Sequence, residues 1–75
     1  MAARSKTRHS YLPSNLKHFR ERSGLTQQKL AEAAGLPRAT LASMEQGVGN
    51  PGLDNVMAAA EALGVTLGQL VNPPT

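Results

Sequence analysis

Seventy-five residues without a cysteine make one small domain, whose marginal core has no disulfide or thiolate metal site to reinforce it. Aromatic residues are only 3% of the chain, which removes base stacking on aromatic platforms as a binding mode, and no apolar run is long enough to span a bilayer or to form a secretory signal. The net charge of +3 is unevenly placed: residues 1–22 carry six cations against Glu21, a net +5, and the remainder carries Lys29 and Arg38 against four carboxylates, a net −2.

In chain order, residues 1–11 read as a basic, flexible arm and residues 12–75 as one domain. Arg4, Lys6 and Arg8 suit phosphates, and a plain solvated leader accounts for the same composition. Pro13 suits the first turn of a helix, where its missing N–H is not needed; Leu16 and Phe19 face inward and Gly24 closes the segment. Thr26 is a good N-cap for a second helix running to Ala34, in which Leu30, Ala31 and Ala34 recur at helical spacing. Gly35 breaks that pattern, which resumes out of phase with Leu41 and Met44. One continuous helix is thereby excluded, and a third helix starts at or beside Pro37 and ends near Gln46. A turn follows from Gly47 to Gly52, with Pro51 holding Asn50 away from helical geometry. The fourth helix carries Leu53, Val56, Met57, Ala60 and Leu63 on one face. A short fifth, from about Thr66 to Val71, turns Leu67 and Leu70 inward and is stopped by Pro73 and Pro74. No alternating polar and apolar run favours a strand, so the expected fold class is all-α.

At 100° per residue, Leu41 and Met44, with Pro37 and Thr40 beside them, share one side of the third helix. Arg38, Ala39, Ala42, Ser43 and Gln46 share the other. The first side is core. The second offers one cation, two alanines, a hydroxyl and an amide, where an ordinary solvated face is rich in Glu and Lys. Such a surface approaches base edges closely, and two short helices about a glycine turn between Leu25 and Gly47 are the layout of a protein that lays a helix into a DNA groove. A small packed helix rich in alanine is the plain alternative. Other chemistry has little footing. His9 and His18 stand nine residues apart with no carboxylate at ligand spacing, no nucleophile–base pair can be assembled, and the glycines form no phosphate-cradling loop. No metal, cofactor, enzymatic activity or membrane partner is expected, and a cytoplasmic location is.

The segments LTQQKLAEAAGL, TLASMEQG, NPGL and EALGVTLGQL together resemble, from Leu12 to Val71 and without a gap, the lambda-repressor-like, Cro/C1-type (XRE) helix-turn-helix family. The resemblance implies a compact five-helix DNA-binding domain with the helix-turn-helix at helices 2–3. Its base-reading positions fall here on Pro37, Arg38, Ala39, Ala42 and Ser43. The Arg38 fork matches guanine O6 and N7, the alanines suit thymine methyls, and Ser43 can bond several bases. Phosphate positions fall on Thr26 and Gln27 at one helix N-terminus, and on Gln46, Asn50 and the backbone around Gly52 and Leu53 across the groove. Arg20 and Glu45 match a structural ion pair between helices 1 and 3. The chain departs from the family pattern in having Val48 and Gly49 where Lys or Arg is frequent, and Pro37 where Ser or Thr is common. Both changes lower the electrostatic contribution to DNA affinity, which Arg4, Lys6 and Arg8 are expected to restore along phosphates or in a minor groove. The implied function is a sequence-specific transcriptional regulator, a repressor or controller, acting as a homodimer on a near-palindromic site in double-stranded DNA. Val65, Leu67 and Val71 are placed at the dimer contact, with burial in the monomer core an equal reading for each. The alternative function is a protein-binding module, such as an antitoxin that neutralises a partner toxin and autoregulates.

Overall fold

The computed structural model describes residues 11–74, so the expected arm contacts Arg4, Lys6 and Arg8 lie outside the described residues, as does His9. Among the described residues the chain forms five helices: α1 (Leu12–Arg22), α2 (Gln27–Ala34), α3 (Arg38–Gln46), α4 (Leu53–Leu63) and α5 (Leu67–Val71). Each begins where the local chemistry directs. Pro13 sits in the first turn of α1. The Thr26 hydroxyl accepts the Lys29 N–H to cap α2, and Thr66 and Gln69 form a reciprocal capping box on α5. Gly35 at φ 71° separates α2 from α3 in a conformation that side chains rarely adopt, and this makes the turn between them tight. At the far end of α3, Gly47 adopts φ 74°, and a Cβ there would stand 3.2 Å from Pro13 Cγ, so the turn packs directly on the start of α1.

The core is small and contiguous. Leu12, Leu16, Leu30, Leu41 and Leu70 are wholly enclosed, joined by Ala31, Met44, Val56, Ala59 and Ala60. Helix α1 packs on α3 and α5, and α2 packs on α3 and α4, so α3 is clasped from both sides of the chain. The expected inward positions on α4 are corrected. Leu53 and Met57 are exposed (60% and 44%), and Ala59 joins Val56 and Ala60 in the buried stripe. The reason is that α4 is apolar over most of its circumference, so periodicity alone does not choose its inner face. Its packing partner α2 presents Ala31, and the close approach of two helices selects the alanine side of α4. Pro37, expected beside the core, is also exposed, because it is the N-cap of α3 in extended conformation and stands outside the helix proper.

One buried polar residue has no place in the periodic reading. Asn15 lies on the inward face of α1 between Leu12 and Leu16, 6% exposed. Its Nδ2 donates to the carbonyls of Gln69, Leu70 and Asn72 at 3.2, 3.1 and 2.9 Å. These are C-terminal carbonyls of α5 and its cap, which have no partner within so short a helix. An asparagine from one helix thus caps another that is more than fifty positions away in sequence. The clue in the sequence is an amide at an i, i+3, i+4 apolar position.

Candidate nucleic-acid interface

Helix α3 is held from behind by an ion pair whose geometry leaves it little freedom. Arg20 Nε donates to Glu45 Oε2 at 2.6 Å and Nη2 to Oε1 at 3.1 Å, a two-pronged contact between α1 and α3. The remaining prong, Nη1, donates to the Leu25 carbonyl at 2.8 Å, tying in the loop before α2. Both side chains are largely enclosed, at 12% and 3% exposure. The hydrogen bond that Arg20 donates to Glu45, reinforced by the charges of Glu45 and Glu21, raises the Arg20 pKa further above its already high value, in spite of burial. The guanidinium is therefore charged at every pH at which the domain is folded. The expected pairing of Arg20 with Glu45 is present in full.

Gln27, the first residue of α2, joins this group: its Nε2 donates to Glu45 Oε1 at 3.1 Å. One carboxylate on α3 thus fixes both α1 and the start of α2. The sequence placed Gln27 at the phosphate-facing end of α2 and carried no sign of its bond to Glu45, because Gln27 and Glu45 are eighteen residues apart. Gln28, one position on, is exposed and donates to Glu32 Oε2 at 3.0 Å along the same helix.

On the opposite side of α3, Arg38 and Ala39 are exposed and Ala42 and Ser43 are half-buried, while Leu41 and Met44 are buried. Pro37 stands exposed at the N-cap, and Gln46 and Asn50 are exposed at the far end of α3 and in the loop that follows. Thr26 is exposed beside the half-buried Gln27 at the start of α2. Beside α3, a shallow open depression is walled by Ala39, Thr40 and Ser43 on the helix and by Val48, Asn50 and Pro51 in the loop. Val65, Leu67 and Val71 are half-buried and pack against the core of their own chain. Among the described residues no cluster of His, Cys, Asp or Glu could hold a metal ion, and no helix is long and apolar enough to cross a membrane.

Comparison with known proteins agrees with this architecture. A family model described as helix-turn-helix matches residues 16–70. A hypothetical transcription factor of Neisseria meningitidis serogroup B is 38% identical over 63 residues, which is 84% of this chain and 59% of that protein. The immunity repressor protein of Bacillus phage phi105 is 40% identical over 60 residues, 80% of this chain and 42% of the repressor. The chain therefore spans about half the length of these two relatives. The crystal structure of the hypothetical transcription factor NHTF from Neisseria superposes with a TM-score of 0.84 at 36% identity, covering 89% of this chain and 77% of that one.

Proposed function

The chain belongs to the helix-turn-helix family of Cro/C1 type, and from that premise we propose that it is a sequence-specific transcriptional regulator that binds double-stranded DNA as a homodimer, with α3 in the major groove. The observation that carries this reading is the two-sidedness of α3. Its inner side is enclosed and clamped through Glu45, and its outer side shows short side chains and one arginine to solvent. A phage immunity repressor among the relatives supports repression as the mode of action.

Arg38 then reads a base, Ala39, Ala42 and Ser43 lie along base edges, and Pro37 abuts them at the entrance of the helix. Thr26 and Gln27 hold one phosphate strand; the Thr26 hydroxyl spends a lone pair on its cap and keeps its hydrogen to donate. Gln46 and Asn50 hold the other strand. Val65, Leu67 and Val71 offer a second copy the part of their surface that the core leaves uncovered. Selection of bound sites from a random duplex pool at physiological salt tests the reading directly: a two-fold symmetric site is expected. A module that binds only a protein partner would enrich no sequence.

Two further results are expected. Arg38→Ala should weaken binding by about 1–3 kcal/mol and relax preference at one base pair per half-site. Equal weakening on every sequence would make Arg38 a phosphate anchor. Removal of residues 1–10 takes away Arg4, Lys6 and Arg8. The slope of log K against log salt should then flatten by up to roughly 0.9 for each of these cations in phosphate contact. An unchanged slope would show that the segment lies off the DNA.

A further inference from the structure

The first four helices end in the same way. A glycine donates its N–H to the carbonyl three residues back, and the next residue donates to the carbonyl five residues back: Leu25 to Arg20, Leu36 to Ala31, Val48 to Ser43 and Val65 to Ala60. In this arrangement the residue after the glycine normally turns an apolar side chain onto the last turn of the helix it closes. Leu25, Leu36 and Val65 are half-buried and pack against the core. Val48 does not; it is 59% exposed. Ser43 accepts its N–H where Ala31 and Ala60 accept those of Leu36 and Val65. The valine backbone is closed in the same pattern, with the Val48 N–H 3.1 Å from the Ser43 carbonyl. The result is an exposed apolar side chain at the rim of the proposed base-reading surface.

The depression that Val48 walls is continuous with that surface through Ala39 and Ser43 and contains no charged side chain. It therefore offers a phosphate no counter-charge. A major-groove edge presents hydrogen-bonding groups at every base pair and a single apolar group, the C5-methyl of thymine. The geometry assigns Val48 a specificity role: with Ala39 and the methyl of Thr40 it forms an apolar seat for a thymine methyl in each half-site. The assignment rests on α3 occupying the major groove, and it adds to the α3 positions a loop residue that periodicity places outside the helix.

The test takes the site selected by the full chain and replaces its thymines one at a time by deoxyuridine, which removes only the methyl. One thymine per half-site should lose about fourfold in affinity, the value of one buried methyl group. Val48→Ala should bind the thymine site more weakly by a similar factor and no longer distinguish thymine from uracil at that position, with an unchanged melting temperature. The inference fails if no thymine shows a methyl effect, or if Val48→Ala keeps the full effect, which would assign the methyl to Ala39 or Ala42. It also fails if Val48→Ala shifts the monomer–dimer equilibrium and leaves the methyl effect intact, since a second copy would then cover the valine. Failure of the full chain to select any site is a different outcome: it removes the base-reading surface itself and this seat with it.

Discussion

Glu45→Ala is expected to cost about 3–5 kcal/mol of folding free energy, the loss typical when one member of an enclosed ion pair is left without the other. The variant strands the Arg20 guanidinium at 12% exposure with only the Leu25 carbonyl, and leaves the Gln27 amide without its partner. A chain of this length has a total stability of roughly 4–11 kcal/mol, so the loss consumes about a quarter of it at least and, at its upper end, unfolds the weakest case outright. Urea unfolding followed by far-ultraviolet circular dichroism measures this directly. The reciprocal test is the double replacement Arg20→Met with Glu45→Leu, in which neither charge remains. Because desolvation offsets much of the attraction in a buried pair, the double variant should recover most of the stability lost in the single one. DNA binding should recover less. The apolar pair has no directional bonds to fix the angle of α3, and Gln27 loses its acceptor in both variants. Equal recovery of stability and binding would show that the pair contributes only to folding.

Asn15→Ala is expected to cost about 3 kcal/mol, through a buried carbonyl at Leu70 and two partly buried ones at Gln69 and Asn72 that lose their common donor. Asn15→Asp should be at least as damaging at neutral pH, since it keeps the shape and directs an acceptor at three acceptors. The damage should also be local. Amide hydrogen exchange in α5 should quicken more than in α1–α4, because α5 has five residues and draws its C-terminal satisfaction from Asn15. Protection of the Leu70 and Asn72 amides that survives Asn15→Ala would contradict the capping role. Val65 and Leu67 at the start of this segment and Val71 at its end are the proposed dimer contacts, so weaker cooperativity on a two-fold site should accompany the change.

What the chain alone decides is local. Thr26, Gly35, Pro37 and Gly47 mark the two helices and the turn between them, since caps and left-handed glycines act over a few residues. Leu30, Leu41 and Met44 choose inner faces because each sits on a helix with a clear polar side. Tertiary packing decided the rest. Helix α4 had several apolar stripes available, and only contact with α2 turned Ala59 inward and Leu53 and Met57 outward. Asn15 found its acceptors, and Gln27 its place on Glu45, across separations that no periodicity spans. Val48 is exposed although Leu25, Leu36 and Val65, which follow the glycines that close the other helices, pack on the core. Hydrogen bonds and packing faces between distant segments are set by how the helices come together, and that is where the finer features of this interface reside.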